Sequence, residues 1–269
     1  MVLYRFMNIE KTIDILESKR LNLSNPLYFN DPFDCSLAIN DRDEEYISKY
    51  REFRNMPPIP CGNMVYRSPY TYEIDTYTNL INKAVKGEDI GEKAQWRICC
   101  FSQQQNWPEQ ILMWSLYAND HKGCMIEFED DFGKYLKKKY KFERVKYNKD
   151  RIHLNFSDTI QIKHDKAYKA LYHKSCAWKN EKEIRVLIPI SDFNSQNEDL
   201  MQILWNDGTT REFMSIKKEW IKKVYMGAKI LDTDKQKIKT LTNKLAIPNE
   251  SVRLCAVNYE LHLQYQPHI

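Results

Sequence analysis

The chain has 269 residues, 42% of them hydrophobic, with 41 basic side chains against 37 acidic ones and a formal charge of +4. That length can bury a substantial core, as one large domain or two tightly joined ones. No run of about 18 apolar residues offers a membrane span, and so mild a charge permits an anionic partner without demanding one. Seven glycines fall well below average usage of about 7%. With neither G-x-G-x-x-G nor a Walker loop, any bound nucleotide has to be held by side chains. The seven cysteines include no C-x-x-C pair, which suggests reduced thiols in a cytoplasm and neither a disulfide frame nor a zinc site. The first residues, Met1 to Phe6, lack the apolar core of a signal peptide and read as the start of a strand.

In chain order, Val2 to Phe6 is that strand, and Asn8 is a plausible N-cap. Ile9, Ile13 and Leu16 then follow helical spacing. Arg20 to Ser24 alternates as a short second strand. The loop Phe29-Asn30-Asp31-Pro32-Phe33-Asp34 is crowded with aromatics and carboxylates. Phe29 and Phe33 are expected to anchor it to the core, and Pro32 to fix the direction of the Asp31 carboxylate. Asn30, Asp31 and Asp34 either line a cleft, bind a hard cation, or form an Asx-turn that satisfies its own backbone. Residues 41 to 60 are charged and end in Met56-Pro57-Pro58-Ile59-Pro60, which predicts an insertion or lid with little core. A helix is expected at about 73–87.

Trp96 to Ser102 reads as a strand, and Asn106-Trp107-Pro108-Glu109 as the start of a helix over 109–119. Trp114 and Tyr117, three apart on it, suit the core better than a base-stacking platform. Cys124, Ile126 and Phe128 alternate with Met125, Glu127 and Glu129 as another half-buried strand. Residues 157 to 176 predict a helix leading into Trp178-Lys179-Asn180-Glu181-Lys182-Glu183-Ile184-Arg185. Read with period 2, that segment puts Ile184, Val186 and Ile188 on one face and Glu181, Glu183 and Arg185 on the other. Carboxylates so placed repel unless a positive group binds there, and a solvated edge strand tolerates the same pattern. Val224 to Ala228, 233–245 and 251–265 predict a strand, a helix and a final strand pair. No H-x-H or H-E-x-x-H occurs, which argues against a zinc enzyme. Strands and helices mix without strict alternation, which indicates a single α+β domain, with an insertion at 40–95 and a C-terminal extension at 215–269.

Three blocks in order carry a wider signature: Phe29 to Asp34; Cys100-Phe101-Ser102 with Met113 to Ala118 and His121-Lys122-Gly123; and Trp178-x-x-Glu181-x-Glu183-x-Arg185. They resemble a bacterial family of unknown function, family 2971, over most of the chain. More distantly, Tyr4-Arg5-Phe6, Ser102 and Glu181-x-Glu183 are similar to the Arg-Ser-Glu motifs of ADP-ribosyltransferases. The middle motif departs from that pattern, because Ser102 stands alone and Tyr117 rivals it. This second resemblance implies a split-sheet core with flanking helices. It also implies NAD as substrate, transfer of ADP-ribose to a macromolecular acceptor (protein or nucleic acid) or NAD hydrolysis, and a toxin or phage-defence role.

In that scheme Glu183 stabilises the positive charge that develops on the ribose, and Glu181 accepts a proton from the nucleophile. Arg5 clamps the dinucleotide phosphates, and Ser102 holds glutamate and ribose. Asn30, Asp31 and Tyr117 line the cofactor cleft. For Arg5 the residues equally allow an ion pair that anchors the first strand, and for Ser102 a plain strand-end hydroxyl. The competing function is a nucleic-acid-binding protein or metal-dependent nuclease, which would use Lys137 to Lys141, Lys217-Lys218 and Lys222-Lys223 against phosphates.

Overall fold

A computed structural model describes residues 1–55, 59–61, 64–66, 71–103, 111–193, 197–205 and 207–263. The first half runs β1 (Leu3–Met7), α1 (Ile9–Ser18), β2 (Arg20–Leu23), β3 (Ala38–Ile39), α2 (Glu44–Asn55), β4 (Ile59–Cys61), β5 (Met64–Tyr66), α3 (Thr71–Val85), β6 (Trp96–Ser102), α4 (Ile111–Tyr117) and β7 (Cys124–Phe128). There follow α5 (Asp130–Lys139), β8 (Lys141–Arg144), β9 (Lys146–Asn148), β10 (His153–Leu154), α6 (Ile160–Ala170), β11 (His173–Ser175) and β12 (Glu183–Pro189). The chain closes with β13 (Leu200–Leu204), β14 (Thr210–Ser215), β15 (Ile221–Met226), α7 (Asp232–Leu245), β16 (Asn249–Leu254) and β17 (Leu261–Leu263). The fold is α+β. The expected chain-breaker at Met56 to Pro58 and the helix start at Asn106 to Glu109 lie outside the described residues.

The chain divides into two units. The first comprises Met1–Asn25, Trp96–Val145 and Ala177–Ile269, and the second Pro26–Gln95 and Lys146–Cys176. The second unit therefore begins earlier than residue 40 and also takes back a segment from after β8. In the first unit an eight-stranded sheet has the order β17-β16-β15-β7-β1-β6-β12-β8. It is antiparallel except for the β15–β16 pair, which α7 connects as a crossover. Strands β15 to β17 are thus part of this sheet. One face is packed by Ile15 and Leu16 of α1, Phe132 and Leu136 of α5 and Ile238 of α7. Leu21, Leu200 and Met214 of the three-stranded sheet β13-β14-β2 join the same cluster. On the other face α4 sets Met113 and Trp114 against Phe6, Met125, Tyr225 and Val252.

The second unit has an aromatic core of its own, and α2, within the charged stretch 41–60, contributes to it. Tyr46 of α2 packs on Ile74 and Tyr77 of α3 and on Phe156. The Tyr77 hydroxyl donates to the carbonyls of Asn40 and Leu154, tying together the two chain segments that β3 and β10 pair in parallel. Charged residues there occupy the outer faces of α2, and the buried aromatics are spaced between them.

The expected helix over 157–176 is shorter. It spans Ile160–Ala170 and opens at Thr159, whose side chain accepts from Ile162 N. Strand β11 and a 3-10 turn over Cys176–Glu181 come next. Glu181 therefore lies in that turn and not on the strand. Lys182, with φ of 45°, reverses the backbone before β12 begins at Glu183. Nor is β12 an edge strand with a wet face. It lies between β6 and β8, and every residue from Glu183 to Ile188 is buried.

Candidate functional site

Residues directly opposite each other in an antiparallel pair share a sheet face, so the registers decide which polar groups meet. Tyr4 on β1 stands opposite Glu127 on β7 and Ser102 on β6. Ser102 in turn stands opposite Glu183 on β12. Glu127, Tyr4, Ser102 and Glu183 therefore form one polar row across four strands, on the face that α4 covers. Arg185 lies one pleat along from Glu183, opposite Cys100.

Ser102, Glu183 and Glu127 are each held by hydrogen bonds. The Ser102 hydroxyl donates to the Glu181 carbonyl at 2.7 Å, and Gln103 N donates to the Lys182 carbonyl at 3.0 Å. Together these two bonds pin the turn that carries Glu181. The Tyr117 hydroxyl, one turn after Trp114 on α4, donates to the Glu181 carboxylate. Glu183 accepts from Arg185 through Nε at 2.8 Å and Nη2 at 3.1 Å. Side-chain exposure is 7% for Glu183 and 0% for Arg185. The positive group that the sequence demanded beside the glutamates is thus the chain's own Arg185. Burial and the adjacent Glu183 push the Cys100 thiol well up, although Arg185 opposes the shift, so this cysteine is no thiolate nucleophile.

At the other end of the row Glu127 accepts from the Tyr225 hydroxyl at 2.6 Å and from Lys222 Nζ at 2.7 Å. Burial and then Glu127 raise the pKa of Tyr225. Tyr4 is raised for the same two reasons, with Lys222 opposing. Both phenols stay protonated, and the Tyr225 hydroxyl is committed to Glu127. Sequence reasoning missed Glu127, Tyr225 and Tyr4. The one available signal was a glutamate in mid-strand between residues that all prove buried.

Arg5 is not part of this row. It alternates with Tyr4 and faces the opposite side of the sheet, opposite Ile126. There it donates to Cys99 Sγ at 3.2 Å and to the Asn22 carbonyl at 2.8 Å. It fastens β1 to the strands beside it, as the anchoring alternative required, by hydrogen bonds and not by an ion pair. The structure thus brings together Ser102, Glu181, Glu183 and Tyr117 and leaves Arg5 behind the sheet.

Asn30 and Asp31 belong to the second unit. Asn30 is exposed, and its side chain accepts from Asp31 N at 3.1 Å. Asp31 accepts from Phe33 N at 2.9 Å, the Asx-turn. Asp34 is buried and pairs with Lys174 at 3.4 Å. Of the two expected anchors Phe29 is half-buried, whereas Phe33 is 59% exposed, with the Arg151 guanidinium over its ring, and the aspartates are the buried side chains. Pro32 and Phe33 turn outward because the turn closes on the two carboxylates.

Behind α4, Asn119, Asp120 and His121 adopt successive left-handed conformations. The His121 ring stacks on Trp114, and its Nε2 lies 3.0 Å from Ser115 Oγ. Burial and then Lys229 lower the His121 pKa, against Asp120, so the imidazole is held neutral.

A buried polar row next to a helix-borne tyrosine defines the class of site. Residues 113–186 match the model of a family described as "Protein of unknown function (DUF2971)". That window holds Tyr117, the His121 to Gly123 turn, Glu127, Glu181, Glu183 and Arg185, and leaves Tyr4 and Ser102 outside it. No curated protein matches the chain.

Proposed function

We propose that the chain is an NAD-consuming enzyme of the ADP-ribosyltransferase type, which transfers ADP-ribose to a macromolecule or to water. One observation carries this reading: Ser102 faces Glu183 across adjacent strands while its hydroxyl holds the backbone of Glu181, so the serine and the paired glutamates meet at one place. Cleavage of the nicotinamide–ribose bond builds positive charge on the ribose, and a fixed carboxylate beside it lowers that barrier.

Glu181 and Glu183 are the two carboxylates available for this role, and Arg185 holds Glu183 in place. The Tyr117 phenol orients Glu181, and Tyr4 is a donor in the same row for a ribose hydroxyl. The phosphate clamp assigned to Arg5 is withdrawn, since that guanidinium lies on the other face. No observation favours the nucleic-acid or nuclease reading: Asp34 is paired with Lys174, and Asp31 is engaged by its own turn.

Nicotinamide release from NAD by the purified protein tests the proposal. Glu181→Gln is expected to slow release by about 10²–10³-fold, the usual cost of removing a group aimed at transition-state charge. Arg5→Lys is expected to leave NAD affinity unchanged. No nicotinamide release, together with no calorimetric heat from NAD or ADP-ribose at millimolar concentration, overturns it.

A further inference from the structure

The hairpin that ends the eight-stranded sheet places a thiol, a carboxylate and an imidazole on one side. Cys255 N donates to the Glu260 carbonyl at 2.9 Å, so these two residues face each other across the hairpin mouth. His262 lies two residues beyond Glu260, and strand periodicity returns it to the same face. Cys255 Sγ, a Glu260 carboxylate oxygen and a His262 ring nitrogen all lie within 4.8 Å of one another. Glu260 Oε2 and His262 Nε2 are 3.5 Å apart. Among the described residues this is the one group of three such side chains with that proximity.

We propose that Cys255, Glu260 and His262 form a binding site for a divalent cation of the zinc class. Zinc takes sulfur at about 2.3 Å and nitrogen or oxygen at about 2.0–2.2 Å in a tetrahedron, whose edges are then roughly 3.4–3.6 Å long. The Glu260–His262 separation already has that length, and side-chain rotation of about 1 Å brings in the sulfur. The donor set discriminates among metals: a thiolate with an imidazole suits zinc and its neighbours, whereas magnesium and calcium require oxygen alone. Binding releases the Cys255 thiol proton, and the thiolate and carboxylate together balance the dication. Arg253, opposite His262, is exposed and reaches into solvent.

The hairpin's own backbone prepares the sulfur. Asn258 N lies 3.4 Å from Cys255 Sγ, an N–H contact of the kind that stabilises a metal-bound thiolate. The main-chain bond from Glu260 N to the Asn258 carbonyl tightens the same turn. Three protein ligands leave the fourth tetrahedral position to water, as in zinc sites that are not purely structural. The sequence concealed this arrangement because the cysteine and the Glu-x-His pair match no zinc spacing until the hairpin folds them together.

The test uses untagged full-length protein, stripped with a chelator and then given zinc or cobalt. The wild type is expected to retain about one zinc per chain after gel filtration. Its cobalt form is expected to show the thiolate-to-cobalt charge-transfer band in the near ultraviolet. Cys255→Ser is expected to lose that band, and Cys255→Ser and His262→Ala to lose the bound zinc. Melting temperatures measured with chelator present check that the variants fold like the metal-free wild type. Zinc content unchanged by Cys255→Ser, or cobalt bound without a thiolate band, overturns the proposal.

Discussion

Glu183 and Arg185 set the energetics of the site at the scale of single residues. Both side chains are withdrawn from water and joined by two hydrogen bonds. Removing one partner of such a pair leaves a buried charge uncompensated and typically costs about 3–5 kcal/mol, whereas replacing both by groups of similar shape is often close to neutral. Glu183→Gln and Arg185→Met are each expected to destabilise by about that amount in urea. Single variants within about 1 kcal/mol of wild type would show that the pair contributes nothing. On a solvated edge strand, which the alternating pattern also allowed, the same substitutions would be close to neutral. The pattern gave the correct side for Arg185, but period 2 does not say whether both faces of a strand are covered. Loss of activity in Glu183→Gln therefore bears on chemistry only where the variant's stability is measured beside it.

Among the elements, those with a local cause were legible in the sequence. Asn8 caps α1 by accepting from Lys11 N, as its position before a helical period implied. Strand β7 and helix α7 also fall where their apolar spacing put them. What escaped was set by distant partners: β13 and β14, which exist by pairing with each other and with β2, and the early end of α6, where β11 pairs with β9. The His121-Lys122-Gly123 motif was visible, but its reason was not. A Cβ on Gly123 would meet the Met7 carbonyl oxygen at 2.2 Å, and one on Gly227 the His121 carbonyl oxygen at 2.1 Å. The obstructing atoms are backbone and cannot rotate aside. Gly227→Ala is therefore expected to cost on the order of 3–5 kcal/mol or to prevent folding. Gly87→Ala, where φ is +73° and nothing lies within 4 Å, should cost only about 1 kcal/mol of strain. Equal denaturation midpoints for the two variants would refute this account of the turn.

For the whole molecule, the question is whether 41 basic side chains against 37 acidic ones make a surface for polyanions. Three lysines of these runs are committed to carboxylates. Lys137, Lys138 and Lys139 end α5, where cations complement the helix dipole. Lys139 also pairs with Asp199, Lys222 with Glu127 and Lys223 with Glu250. Phosphate contacts at those positions would have to break existing pairs, one of them with a buried carboxylate of the polar row. Nonspecific DNA binders reach dissociation constants of about 10⁻⁴–10⁻⁶ M at physiological salt. This chain is expected to bind duplex DNA or RNA more weakly than about 10⁻⁴ M at roughly 0.15 M salt. Its affinity should also change little as salt is lowered. Fluorescence anisotropy with labelled duplexes over a salt series provides the check. Affinity tighter than about 10⁻⁶ M, falling with salt on a log–log slope of roughly −4 or steeper, would mean several phosphates neutralised at once. It would also restore the nucleic-acid reading over the one proposed for the polar row, because Lys222 would then belong to a ligand and not to Glu127.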